Sequence, residues 1–164
     1  MRITVMRKIK KLVATLLAAT MVLAMGVTAF AADSLADGKY TAKQNLYKNS
    51  ACTTTSMGDA ALNDMRAEIT IADDEATLVV HTHEITYLGL TGHLGKMVVN
   101  GKTVTPKQTT TNGVTDYYFT FTGLDASTIY EGCVITGKFT TYVGSMPMNA
   151  TGYLKLTDIT AKFT

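Results

Sequence analysis

The chain has 164 residues with 15 basic and 13 acidic side chains, a formal charge of +2 at pH 7. Five basic residues lie within the first eleven positions, so the rest of the chain carries 10 basic and 13 acidic residues, a formal charge of −3. A domain of this charge lacks the basic face that displaces counterions from nucleic acid, which excludes nucleic acid as an expected partner.

The first 31 residues have the three parts of a secretory signal peptide. A basic region ends at Lys11, an apolar run covers residues 12–27, and Ala29 and Ala31 are the small residues that a signal peptidase reads. The apolar run is too short, and too closely followed by polar sequence, to favour a stable membrane span. We therefore expect a signal peptide at 1–31 and one secreted domain with a single core at 32–164.

A strand pattern and one short helix begin the predicted domain. Residues 38–48 form the first predicted strand. Ser56 begins a short helix, because its side chain can cap the first turn. The carboxylate of Asp59, three residues later, can in return accept a hydrogen bond from the backbone N–H of Ser56. Residues 65–71 then alternate between apolar and polar side chains, the pattern of a half-buried strand.

The rest of the domain also has the pattern of strands. Asn100-Gly101 favours the positive φ angles of a type I′ hairpin turn. The other predicted strands are 77–85, 96–99, 102–105, 117–122, 133–143 and 153–163. The sequence therefore predicts an all-β antiparallel sandwich of seven to eight strands with one short helix.

Two cysteines, Cys52 and Cys133, follow the predicted signal peptide. A secreted protein can join them in a disulfide. The alternative is two separate thiols, with Cys133 a small buried apolar residue. Both interpretations stay open, because the sequence does not give the separation of the two Cα atoms.

Three segments resemble the opening of a NEAT domain, the haem-binding module of Gram-positive bacterial surface proteins. They are Asp37-Gly38-Lys39-Tyr40 up to Leu46, the Ser56-Met57 turn with its short helix, and the strand from Met65. The resemblance covers residues 37–164 in order and spacing, and the Ser-Met turn is its specific part. It implies an immunoglobulin-like sandwich at a Gram-positive cell surface or outside the cell, which scavenges or transfers haem without enzymatic turnover.

The resemblance also implies where haem binds. In the family, haem lies between the short helix and the final hairpin. The matching Ser56 would donate to a haem propionate, Met57 would cover the face opposite the axial ligand, and Lys48 would be a second propionate anchor. The implied partners are haem itself or a haem protein, including another cell-surface haem-relay protein.

The final hairpin departs from the family pattern, which has a ligand tyrosine and a second tyrosine four residues later. Counting back from Leu156 puts Met148 and Gly152 at these positions, and a shifted register offers Tyr153. We expect Met148 to be the axial ligand of the haem iron, with Tyr153 the alternative. A thioether favours reduced iron, whereas a phenolate suits ferric haem. The competing interpretation is a loop over residues 146–148 with two gap-filling methionines and no haem ligation.

Two other functions stay open. One is an immunoglobulin-like adhesion or protein-binding module without haem. The other is a copper or zinc carrier, because His81 and His83 share one face of a strand, with His93 near in sequence and Met97 a soft fourth ligand. The sequence has no nucleophile elbow, zinc-protease motif or phosphate-binding glycine loop, so an enzyme is not expected.

Overall fold

The computed structural model describes residues 33–162, and the predicted signal peptide lies outside the described residues. The residues described from Ser34 onward belong to one compact unit, which contains the whole buried core. No helix in this described range is long and apolar enough to cross a membrane.

Strands make up most of the described chain. They are β1 (Gly38–Tyr47), β2 (Arg66–Ala72), β3 (Glu75–His83), β4 (Ile85–Tyr87), β5 (Leu90–Val99), β6 (Lys102–Val104), β7 (Lys107–Thr111), β8 (Val114–Asp125), β9 (Val134–Val143) and β10 (Met146–Ala161). Two short 3₁₀ helices, η1 (Met57–Ala61) and η2 (Ala126–Thr128), accompany them, and residues 33–162 contain no α-helix.

The all-β antiparallel prediction is confirmed, but the predicted count of seven to eight strands is wrong. The structure has ten strands in its described part. The sequence gives little sign of β4 and β7, because β4 has only three residues and every residue of β7 is exposed. Three residues are too few to establish an alternation of apolar and polar residues in β4, and β7 contains no apolar residue.

The strands form one antiparallel sheet in the order β4-β5-β9-β10-β1-β2-β3-β8-β7, with β6 paired to β5. The first and last strands meet in the middle of the sheet, where Tyr40 lies opposite Ala161 and Tyr47 lies opposite Tyr153. β10 begins seven residues before this pairing, and its first part, residues 146–152, pairs with β9.

Alternate residues of the long strands form the core. Burial of a large apolar side chain contributes about 1.5–3 kcal/mol, so these residues dominate the stability of the fold. Leu78 and Phe121, from β3 and β8, line the same small interior space as Met97 and Phe139, from β5 and β9. The largest fully buried apolar side chains are Leu46, Leu62, Ile69, Leu78, Val80, Leu94, Met97, Phe119, Ile129, Leu154 and Leu156.

An aromatic stack joins three strands beside this core. The ring of His93 on β5 lies 4.8 Å from that of Tyr117 on β8 and 5.3 Å from that of Tyr142 on β9, and both pairs are nearly parallel. The Tyr117 hydroxyl donates to Glu84 Oε1 at 3.0 Å. Burial and this carboxylate raise the pKa of Tyr117, so the phenol stays protonated and remains a donor.

Within residues 33–162, four turns have two successive residues with positive φ: Asp73-Asp74, Leu88-Gly89, Asn100-Gly101 and Asn112-Gly113. The predicted hairpin turn at Asn100-Gly101, with φ of 51° and 73°, is confirmed and joins β5 to β6. The turn at Leu88-Gly89 joins β4 to β5 and was not predicted, because leucine rarely adopts a positive φ.

The two cysteines are separate thiols. Cys52 is partly exposed and Cys133 is buried, and no disulfide joins them. Burial raises the pKa of the Cys133 thiol. Of the two interpretations that the sequence left open, the structure has the one without a bridge.

Candidate functional site

Helix η1 begins at the residue that the sequence predicts. Ser56 is its N-cap, and Ser56 Oγ accepts a hydrogen bond from the N–H of Gly58 at 3.3 Å. The predicted return cap from Asp59 to Ser56 is wrong, because the N–H of Ser56 donates to the carbonyl of Leu46 at 2.8 Å. The Asp59 carboxylate instead accepts from the N–H of Leu46 at 2.7 Å.

Asp59 fixes the helix to the end of β1. The carboxylate is buried, and it also accepts hydrogen bonds from the side-chain amides of Asn45 at 3.3 Å and Asn63 at 3.2 Å. Gln44 of β1 adds a second attachment, since its Nε2 donates to the carbonyl of Leu62 at 3.0 Å. Two buried polar side chains therefore hold η1 in one position beside the sheet.

The backbone of η1 comes close to the β9–β10 hairpin at Gly58. A Cβ added to Gly58 would lie 3.2 Å from Leu46, 3.4 Å from Leu94 and 3.5 Å from the hydroxyl of Thr141 on β9. Thr141 lies directly opposite Met148 across the β9–β10 ladder. Opposite residues of an antiparallel pair project from the same face, so Met148 is on the side of the hairpin that η1 approaches.

Three exposed methionines lie on the two elements that meet here, η1 and β10. Met57, at the start of η1, is 40% exposed, and Met146 and Met148 are 65% and 45% exposed. Met146 and Met148 lie two residues apart on β10 and therefore share a face. We call these three residues the methionine surface.

The prediction of a loop with gap-filling methionines at 146–148 is wrong. All three residues belong to β10, and the register with β9 is continuous from Met146 to Lys155. Their side chains are exposed, so they fill no gap in the core.

Tyr153 and Lys48 are the two remaining site residues that the sequence predicts. Tyr153 lies between the buried residues Gly152 and Leu154, so its side chain projects from the opposite face to that of Leu154 and Met148. Its neighbour across the ladder is Tyr47. Lys48 is exposed at the first position after β1.

The histidines that the sequence suggested as metal ligands have other partners. His81 Nε2 lies 3.1 Å from Glu68 Oε2, and His83 Nε2 lies 2.7 Å from Asp64 Oδ1. His93 is in the aromatic stack, and Met97 is fully buried in the core. Within residues 33–162 no group of three or more His, Cys, Asp or Glu side chains could hold a metal ion.

A second exposed apolar feature lies at the turn between β4 and β5. Leu88 is 85% exposed, and the neighbouring side chains of Tyr87 and Leu90 are also exposed. The N–H of Gly144, in the β9–β10 turn, donates to the carbonyl of Thr91 at 2.9 Å, so the two hairpin ends are adjacent. We call Tyr87, Leu88 and Leu90 the Leu88 tip. The turn that forms this tip could not be predicted from the sequence, because Leu-Gly is not a recognised turn signal.

The sequence was compared with protein-family models and with curated protein sequences. No protein-family model matches the chain, and no curated protein sequence matches it.

Proposed function

We propose that this protein is a secreted haem-binding module of the NEAT type, which scavenges or transfers haem without turnover. The observation that carries the proposal is the approach of η1 to the β9–β10 hairpin, with Met57 and Met148 exposed beside it. Haem is a flat apolar ring with anionic propionates. The exposed thioethers of Met57 and Met148 suit the ring and its iron, and the hydroxyl of Ser56 suits a propionate.

The proposal includes an immunoglobulin-like sandwich. Two contacts support it, since side chains of β3 and β8 share an interior space with those of β5 and β9, and Tyr117 of β8 stacks on His93 of β5. Strands that are distant in the sheet order are therefore in side-chain contact. A single sheet makes such contacts when it folds over a common core.

The proposed roles follow from the chemistry of each side chain. Met148 would hold the haem iron through its thioether, and a neutral thioether favours the ferrous state. Met57 would cover the other face of the ring. Ser56 Oγ accepts from Gly58, which leaves the hydroxyl hydrogen to donate to a propionate. Lys48 is a second propionate anchor by its charge.

Tyr153 is the less favoured axial ligand. Its side chain projects from the opposite face of β10 to that of Met148. A phenolate ligand would therefore require haem to bind on the outer face, beside Tyr47, and away from Ser56 and Met57.

A haem titration of residues 32–164, followed by absorbance in the ferric and the dithionite-reduced state, tests the proposal. We expect a saturable Soret band that is stronger in the reduced state. Met148→Ala should weaken binding at least about tenfold, and Ser56→Ala about threefold, the effect of one hydrogen bond.

Two matched variants serve as controls in the titration. Tyr153→Phe and Val134→Ala should bind haem as the parent chain does, since Val134 is an exposed apolar residue at the other end of β9. If only Tyr153→Phe removes the Soret band, Tyr153 is the iron ligand and haem binds on the outer face of β10. The absence of a saturable band in both redox states would reject haem binding.

Protein binding without haem is the second candidate, and the Leu88 tip favours it. An 85% exposed leucine at a positive φ is unfavourable both for solubility and for the backbone. The other three turns of this type have Asp-Asp or Asn-Gly, which suit it. Affinity capture of partners by the parent chain and by Leu88→Asn tests this function, and equal capture by both chains would reject the tip as the contact.

A further inference from the structure

The first part of β10 is an open strand edge. Residues 146–152 pair with β9 on one side, whereas the pairing of β10 with β1 begins only at Tyr153. All residues from Met146 to Thr151 are exposed. Within the described chain, no backbone hydrogen bond joins this stretch to any segment except β9.

The direction of the backbone groups in this edge follows from β9. The carbonyl of Tyr142 points to Gly92 of β5, and the N–H of Gly144 donates to Thr91 beside β5. Residues of an antiparallel strand direct their backbone groups alternately to the two neighbours, so Thr141 and Val143 bond to Met148 and Met146 of β10.

The remaining residues of the edge therefore direct their backbone groups to solvent. These are Pro147, Asn149 and Thr151, which offer three carbonyls and the N–H groups of Asn149 and Thr151. Proline is tolerated at position 147 because its missing N–H would point away from β9. The free donors and acceptors of such an edge bind another extended chain readily.

We propose that this edge binds the same edge of a second copy of the chain, in a two-fold symmetric antiparallel pair centred on Asn149. Asn149 of each copy then exchanges two hydrogen bonds with Asn149 of the other. The N–H of each Thr151 donates to the Pro147 carbonyl of the second copy. This self-complementary arrangement is the isologous contact of a cyclic dimer.

The length of the hairpin fits this register. With Asn149 opposite Asn149, Tyr153 is opposite Ser145 of the second copy, and Ser145 lies in the turn between β9 and β10. Tyr153 is also the residue at which β1 takes over the pairing with β10. Tyr47, the last residue of β1, already occupies this side of Tyr153, so the ladder between the two copies covers residues 146–152 and stops where the pairing with β1 starts.

The side chains favour a second copy at this edge. Residues 145–152 carry no charge, so two copies do not repel each other. The pairing puts Ala150 of the second copy beside Met148, and Gly152 of the second copy beside Met146. It thereby covers one flank of two exposed apolar side chains of each copy.

The exposed edge of β7 is less suited to pairing with a second copy of the chain. Lys107–Thr111 is also fully exposed, but its residues are one lysine, one glutamine and three threonines. A lysine at a strand edge opposes edge-to-edge association. The dimer contact is thus assigned to β10 and not to β7.

Sedimentation equilibrium of residues 32–164 without haem tests the dimer over a range of protein concentrations. We expect a reversible monomer–dimer equilibrium. Asn149→Asp keeps the acceptor for the 2.6 Å hydrogen bond from Thr140 Oγ1, so the fold is retained, but it sets two carboxylates opposite each other. At low salt this variant should weaken the dimer at least about fivefold, and acidification that protonates the carboxyls should restore it.

Thr111→Asp introduces the same charge on the β7 edge and is the matched control, which should dimerise as the parent chain does. A chain that stays monomeric at every concentration overturns the proposal, and so does a dimer that Asn149→Asp does not weaken or that Thr111→Asp weakens equally. Because haem is absent from the experiment, its outcome is independent of the proposed haem site.

Discussion

The buried carboxylate of Asp59 in η1 accepts a hydrogen bond of 2.7 Å from the backbone N–H of Leu46 in β1. β1 has no strand partner for this donor on that side, since its pairing with β2 ends at Lys43. One side chain of a five-residue helix therefore completes the hydrogen bonding of a central strand. The position of the candidate site and the stability of the sheet depend on the same group.

Removal of this carboxylate should destabilise the fold. We expect Asp59→Ala to lower the free energy of unfolding by about 2 kcal/mol, because the N–H of Leu46 stays buried without an acceptor. Asp59→Asn retains an acceptor oxygen and should lose less than half as much. Urea unfolding at pH 7 measures both, and equal losses in the two variants would contradict this role of Asp59.

The ion pair of His83 should make stability depend on pH. Burial lowers the pKa of His83, but hydrogen bonds to the Glu84 carbonyl and to Asp64 outweigh it, and the pKa is raised above 6.5. A raised pKa contributes stability that is complete below pH 6.5 and is lost as pH rises through the folded-state value.

His83→Gln should therefore lower the free energy of unfolding, and this loss should be larger at pH 5.5 than at pH 8.5. The difference should stay below about 1 kcal/mol, because Asp64 is largely exposed. Paired urea titrations at the two pH values measure it. An advantage that is larger at pH 8.5 would show that the neutral ring, and not the imidazolium, is stabilised.

Replacement of Leu88 in the Leu88 tip should stabilise the protein. Leu88→Asn should raise the unfolding free energy by about 1 kcal/mol, since asparagine tolerates the φ of 49° that strains leucine. Leu90→Asn removes an equally apolar exposed side chain from an ordinary strand position and should give no gain. If thermal unfolding ranks the two variants the other way, backbone strain at Leu88 is not the cause.

The two thiols should differ in reactivity. Cys52 is partly exposed, whereas Cys133 is buried and its pKa is raised, so it forms little thiolate. A thiol reagent such as dithionitrobenzoate should label one cysteine per folded chain and two in denaturant. No labelling in denaturant without a reductant would indicate a disulfide.

Local patterns predicted those elements in which the residue type itself sets the geometry. Asn100-Gly101 predicted its turn because both residues accept a positive φ, and Ser56 predicted the start of η1 because its hydroxyl caps the first turn. The alternation at residues 65–71 predicted β2 because one face of that strand is buried.

Features that depend on distant partners could not be read from local pattern. The pairing of Asp59 with Leu46 needs the helix and β1 to be in contact, and no spacing in the sequence encodes it. The last strand was expected from residue 153, but β10 begins at Met146 because β9 supplies its hydrogen bonds. Of the candidate site, sequence indicated Ser56, Met57 and Met148 but not the open edge beside them.

The pairing of β1 with β10 also determines when this chain can fold. These strands come from the two ends of the domain, yet they lie next to each other in the middle of the sheet. A nascent chain therefore lacks this central ladder until β10 has been synthesised, and contacts between distant segments form slowly.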